Sequence, residues 1–236
     1  MATEQFEKSA LSFVGCDGGN PKSDIWFCGL EWGGKQRNEL DRPIQEKELY
    51  SWSHEEFEGA WTAQYNQKIC WFLWYFHNLK WDNGENSDIF VKRHHILYSQ
   101  QESGIGFKMN MLPISFPNRN SIDWSTSLKT LTGLNSFNEY RQWCVTHRGK
   151  FFRKIVQKYQ PKVIVCTGIS EVSHFIQFFT GENEYEIQLT EQFKFYHSKF
   201  KNTLICVVPF FGGASGINSY AKMESLVAHI KALLKQ

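Results

Sequence analysis

Residues 24–34, Asp-Ile-Trp-Phe-Cys-Gly-Leu-Glu-Trp-Gly-Gly, constrain the fold of this chain more than any other stretch. A short apolar run of strand character ends in glycines and leaves one carboxylate, Glu31, just past the strand's carboxyl end. Residues 161–166 and 203–209 are two more short apolar runs with the look of buried strands. The second of these leads into another glycine-rich turn, residues 210–218, Phe-Phe-Gly-Gly-Ala-Ser-Gly-Ile-Asn. Buried strands that alternate with helices predict an α/β fold: a single three-layer domain over residues 1–236, with a mostly parallel four- to five-stranded sheet covered by helices on both faces. In an open sheet of that kind ligands bind where the loops leaving the strand ends diverge, so the two glycine turns mark the expected site.

The intervening segments fit this outline. Trp61, Tyr65, Ile69, Phe72, Leu73 and Phe76 fall at helical spacing, which predicts an amphipathic helix over residues 61–79. A second helix is expected over residues 88–100, capped by Ser87, and a strand over 107–112 that stops at Pro113 and Pro117. Residues 136–159 read as one long helix with a bend at Gly149. A helix opening at Gly168 and capped by Ser170, a hairpin over 184–197 and a last helix over 219–235 complete the pattern. Residues 1–23 are polar, contain a Gly18-Gly19-Asn20-Pro21 turn and read as an irregular lead-in.

Composition limits the function classes. A chain of 236 residues can bury one large core. The formal charge of +2 excludes an overall basic field, so any nucleic-acid binding must be local. Aromatic residues reach 16%, high enough to ask whether some line a site, although the core is their usual place. The six cysteines form no C-x-x-C pair, and Cys28, Cys166 and Cys206 lie in apolar runs, where a free thiol behaves as a small hydrophobe. This argues against a metal or cluster, and no cofactor is implied. With no signal peptide and no apolar run long enough to span a bilayer, the expected setting is the reducing cytoplasm, away from membranes.

Four segments in order carry a family resemblance. Gly29-Leu30-Glu31-Trp32-Gly33 resembles the first motif of the uracil-DNA glycosylase superfamily, a strand followed by Gly-x-acid/amide-Pro-Gly or Tyr. Lys108-Met109-Asn110-Met111-Leu112-Pro113 with Pro117-Asn118-Arg119 is similar to the family's strand bearing a base-reading Asn and its proline-rich loop. Residues 161–168 resemble its central strand, and Gly213-Ala214-Ser215-Gly216-Ile217-Asn218 its second catalytic loop. The resemblance implies a uracil-DNA glycosylase-like fold and a monofunctional glycosylase with DNA as partner.

The chemistry is consistent with these residue types. Breaking an N-glycosidic bond develops positive charge on the sugar and negative charge on the leaving base. By its place in the motif, Glu31 is assigned water activation and stabilisation of the sugar cation. Asn110, which donates and accepts at once, is assigned base recognition, with Trp32 and Gly33 shaping the pocket. Ser215, Gly213, Gly216 and Asn218 belong to a loop whose amides would hold a phosphate, Arg119 would add a cation, and Ile217 would be the apolar wedge that fills the stack behind a flipped nucleotide. Lys108, Arg37 and Arg42 are further candidates for phosphate contacts.

Departures from the family pattern matter as well. Gly213 stands where many relatives carry His, so help for the leaving base must come from Asn110, from backbone amides or from His94, His95 or His197. Trp32 replaces the usual Pro, and Gly33 stands where uracil-specific members hold a bulky Tyr, which implies a wider pocket. Together with Trp52, Trp61, Trp71, Trp74 and Trp81, this suggests an enlarged base, glucosylated hydroxymethylcytosine of phage DNA, and a role in antiviral defence. Packing of those Trp residues against the sheet is the structural alternative. Uracil or a deaminated base, a catalytically silent DNA-binding module, and an unrelated α/β enzyme acting on a small nucleoside remain competing expectations.

Overall fold

The computed structural model describes residues 1–31, 63–79, 104–116 and 124–236. Strands β1 (Gly18–Gly19), β2 (Ile25–Gly29), β3 (Phe107–Asn110), β4 (Val163–Thr167), β5 (Glu186–Leu189), β6 (Lys194–Phe200) and β7 (Thr203–Val208) form one mixed sheet in the order β1-β3-β2-β4-β7-β6-β5. The central four, β3, β2, β4 and β7, are parallel, and antiparallel strands flank them on both sides. The α/β class and the parallel centre agree with expectation. Among the described residues the strand count is seven instead of four to five, because the 184–197 hairpin extends the sheet through β6 and two glycines pair beside β3.

Every residue of β2, β3, β4 and β7 is buried, and the two faces alternate between two cores. Trp26, Cys28, Phe107, Met109, Ile164, Cys166, Ile205 and Val207 face one core. Covering it are α1 (Glu4–Ala10), α4 (Phe137–Trp143), α5 (Gly149–Tyr159) and α6 (Val172–Thr180). Ile25, Phe27, Val163, Val165, Leu204, Cys206 and Val208 face the other, under α2 (Gln64–His77) and α7 (Tyr220–Leu233). Helix α3 (Thr126–Thr132) touches α1 at the margin. All six cysteines are free and buried.

Three local expectations change. The lead-in is partly ordered as α1, which Thr3 caps through its side chain and which sends Phe6 and Ala10 into the core. Ser170 caps no helix; a 3-10 turn over Ile169–Glu171 comes first, and α6 starts at Val172. The 136–159 helix is continuous through Gly149, which is itself helical (φ −57°, ψ −44°), but it widens into a π turn at Cys144–Arg148. The helix expected over 88–100 lies outside the described residues. Among the described residues, no helix is long and apolar enough to cross a membrane, and no group of three His, Cys, Asp or Glu side chains could hold a metal.

The π turn ends in Arg148, which is fully buried. Its guanidinium donates to the carbonyls of Ala10, Ser12, Val14, Asn110 and Met111 and lies 4.7 Å from the Phe152 ring. It thereby ties the N-terminal segment to the carboxyl end of β3. Replacing Arg148 with Met strands several buried carbonyls, each worth roughly 1–3 kcal/mol when left unpaired. Urea unfolding is expected to register a loss of at least ~3 kcal/mol. Arg148→Lys will not restore it, because an ammonium cannot reproduce the planar fork. Recovery in the Lys variant would argue that charge, not geometry, is what matters.

Burial lowers the pKa of both His77 and His197 below the usual histidine range. Below the unfolded value of about 6.5 the unfolded chain binds more protons than the native one, so this contribution is whole above that pH and lost as pH falls. The urea midpoint should drop between pH 7.5 and 5. A His77→Gln/His197→Gln variant should drop less, and an unchanged pH slope in that variant would exclude these two groups as the source.

Candidate functional site

The strand order locates a crevice without reference to any motif. β3 lies on one side of β2, and β4 and then β7 on the other; α2 follows β2 in the chain and α6 follows β4. The side chains of α2 pack on one face of the sheet and those of α6 on the other, and a strand order that runs both ways from the middle of a parallel sheet is where such a sheet opens at its carboxyl ends. Leu30 and Glu31 leave β2 at that point, Asn110 ends β3, Thr167 ends β4, and the 209–218 loop leaves β7. The end of β2, through Glu31, and the glycine loop after β7 are therefore at the same end of the strands, one on each side of β4.

Glu31 is half-buried, with its Oε2 atom enclosed. Two main-chain bonds extend the β2–β3 pairing past the strands and set this segment: Met111 N–H donates to Gly29 (2.9 Å) and Leu112 N–H to Leu30 (2.8 Å). Asn110, 2% exposed, donates from Nδ2 to the Gly15 carbonyl at 3.1 Å, which turns Oδ1 over Gly29. A Cβ at position 29 would collide with that oxygen and would lie 3.8 Å from the Tyr65 hydroxyl. Glycine at 29 is thus what lets the Asn110 amide lie flat across the strand end.

Tyr65 joins the two sides of the crevice. Its hydroxyl and the Thr167 hydroxyl are 2.9 Å apart, and its ring stacks on Phe210 at 5.4 Å with planes 6° apart. Burial raises its pKa, so the phenol stays protonated and serves as a neutral donor or acceptor. Beneath its ring, Lys108 is buried, with Nζ 2.7 Å from Asp17 Oδ2, 3.0 Å from Asn66 Oδ1 and 5.1 Å from the ring centroid. Lys108 is therefore an internal ion-pair partner and not the surface phosphate ligand expected from sequence.

The β7 loop is built on its own glycines. Gly212 and Gly213 have φ of +131° and +68°, and Ile217 N–H returns to the Phe210 carbonyl at 2.9 Å. A Cβ on Gly216 would strike the carbonyl oxygens of Gly212 and Phe210. The Asn218 side chain donates to the Gly213 and Ala214 carbonyls, at 3.0 and 3.3 Å. Behind the loop, Lys68 stands over the Trp71 ring at 3.0 Å and donates to the Asn218 carbonyl at 3.4 Å. Gly213, Ala214 and Ser215 are exposed at the crest, with a buried cation behind them and α7 starting three residues past Ile217. Crest amides of this kind suit an anion.

The expected residues are not all placed alike. Glu31, Asn110, Gly213, Ser215, Gly216 and Asn218 are on the one edge. Ile217 is fully buried in the α2–α7 core, and the apolar side chain that stands out from this loop is Phe210, 53% exposed. His197 sits opposite Cys206 in the sheet, 3.9 Å from Glu186 of β5, and not at the loops. Trp71 stacks on Tyr220 (3.8 Å) and Trp74 is buried, so both serve packing. Trp32, Gly33, Arg37, Arg42, Trp52, Trp61, Trp81, His94, His95 and Arg119 lie outside the described residues.

Sequence reasoning missed the site roles of Tyr65, Thr167, Asp17, Lys68 and Phe210. Tyr65 carried one signal, a hydroxyl at an otherwise apolar helical position; the others carried none. No protein-family model matches the chain, and no curated protein matches it either.

Gly29→Ala and Gly216→Ala should separate the two loops by their tolerance. At Gly29 the added methyl meets a side-chain amide that can turn, so a loss of about 1 kcal/mol is expected. At Gly216 it meets two main-chain carbonyls, and the loss should be nearer ~3 kcal/mol. Thermal unfolding of both variants checks the order; equal losses would contradict the loop geometry described.

Proposed function

We propose that this chain is a monofunctional DNA glycosylase that swings a modified or damaged nucleotide out of the helix and hydrolyses its N-glycosidic bond. The observation that carries this reading is the gathering of Glu31, Asn110 and the 212–218 loop at the carboxyl ends of the central parallel strands β2, β3 and β7. Glu31 aligns water on the anomeric carbon and offsets the charge of the sugar cation. Asn110, with Oδ1 turned over Gly29 beside the Tyr65 hydroxyl, reads the base edge. The crest amides at 213–215, with Ser215, hold a phosphate, and the stacked Tyr65–Phe210 pair offers an aromatic surface at the mouth. The substrate we favour is an enlarged cytosine, glucosylated hydroxymethylcytosine of phage DNA, with antiviral defence as its setting; uracil or a deaminated base is the ordinary alternative.

A second reading, a DNA-binding module of the same fold without the reaction, draws on two observations. Ile217 is locked in the core and the Asn110 amide is tied to Gly15, so both are already engaged.

Duplex and single-stranded oligonucleotides bearing uracil, hypoxanthine, 5-hydroxymethylcytosine or its glucosylated form, followed by alkali, separate these readings. We expect abasic sites that alkali cleaves, lost about a thousandfold in Glu31→Gln while DNA binding is retained. Tight binding with no product on any substrate would favour the silent module. Faster release of uracil than of every bulky base would end the enlarged-cytosine proposal and leave the glycosylase.

A further inference from the structure

The far edge of the sheet carries a surface that the proposed reaction does not use. Among the described residues β5 is the last strand of the sheet, and it pairs with β6 on one side. An edge strand displays main-chain N–H and C=O groups that can pair with another extended chain, and proteins commonly blunt it with lysine, proline or a bulge. Here Ile187 and Leu189 are 58% and 69% exposed, with Tyr185 also exposed beside them. Residues 182–191 contain Glu182, Glu184, Glu186 and Glu191 and no Lys, Arg or His. With a period of two, Tyr185, Ile187 and Leu189 take one face of the strand, and Glu184 and Glu186 the other.

The strand leads into a cavity. The turn after β5 is closed by Thr190, whose N–H and hydroxyl both donate to the Phe193 carbonyl at 2.9 and 2.7 Å. Where it meets α7, Leu189, Thr190, Glu191, Gln192, Ser225 and His229 line a cavity of about 430 Å³. His229 is oriented there by a 2.7 Å contact between Nδ1 and the Ser225 carbonyl. One carboxylate in this lining, Glu191, continues the acidic edge.

We propose that β5 is a docking strand for an extended basic segment of a partner protein, in which Lys or Arg alternate with apolar residues, and that one cationic side chain enters the cavity beside Glu191. Strand addition supplies main-chain pairing, and the alternation matches an apolar face to Ile187 and Leu189 and a cationic face to Glu184 and Glu186. Charge chooses the occupant. A second copy of this chain would set the same four carboxylates against themselves, and nucleic acid or an anionic membrane would be repelled. On the neighbouring strand, Lys194 stands over the Tyr196 ring at 5.8 Å and His197 Nε2 is 3.9 Å from Glu186.

The test uses the full chain, labelled with nitrogen-15, and a synthetic Lys-Val repeat peptide as the probe. Amide shifts confined to residues 184–192, 225 and 229 are expected. Ile187→Lys and the Glu184→Lys/Glu186→Lys pair, both at exposed positions, should each weaken binding about tenfold. A Lys-Gly repeat and a Glu-Val repeat should bind neither edge nor cavity. Shifts elsewhere, equal binding of the Lys-Gly repeat, or a dimer in sedimentation that Ile187→Lys dissolves would overturn the proposal, the last by giving the edge to a second copy. None of these readouts involves DNA, so the outcome stands apart from that of the excision assay.

Discussion

One buried guanidinium organises the end of the sheet where the candidate site lies. A charged fork in a dry interior must have its donors met, and Arg148 meets them with carbonyls from two distant segments, residues 10–14 and 110–111. The π turn supplies the extra residue that swings this side chain inward from the helix surface. With the N-terminal segment held there, the Gly15 carbonyl reaches Asn110 Nδ2 and sets the amide's orientation. The pose of a candidate base-reading residue therefore depends on an arginine 38 positions away in the chain.

The site combines groups that would not coexist without that support. A half-buried carboxylate at Glu31, a phenol that burial keeps protonated at Tyr65 and an amide at Asn110 stand at neighbouring strand ends. Two ammonium groups lie just behind them. Lys108 is neutralised by Asp17, whereas Lys68 rests on an indole face and a loop carbonyl. A chain with a net charge of only +2 thus keeps one cation, Lys68, behind the β7 loop, where low exposure makes it count for more than on the open surface. Acidic residues gather instead at the opposite margin of the sheet, along β5.

Much of the fold was legible because burial on both faces writes itself as an uninterrupted apolar run. β2, β4 and β7 announced themselves in this way, and Tyr220–Leu233 in its 3.6-residue period behind Ser219. α1 did not, because seven residues give barely two turns of periodicity and its apolar members, Phe6 and Ala10, sit among Glu, Gln, Lys and Ser. β1 is two glycines, with no side chain to signal a strand. In the site, Glu31 and the glycine loop were visible from their positions after strands. Lys108 read as a surface cation because the residue that neutralises it, Asp17, comes from a segment with no strand signal. Ile217 read as an outward wedge from its place in a motif, and it is the return of its N–H to the Phe210 carbonyl that folds it inward and leaves Phe210 outside.

Local sequence by itself determined the class of fold, the parallel centre of the sheet and the glycine turn after β7, since each depends on side-chain periodicity or backbone freedom within a few residues. Tertiary structure alone decided which strand ends became neighbours, that Tyr65 would bridge Thr167 and Phe210, and that Arg148 would hold Asn110 in place. Those outcomes depend on strand order and on pairing of buried polar groups far apart in the chain, and a buried donor is satisfied by whatever acceptor the packing brings to it, which no local pattern records.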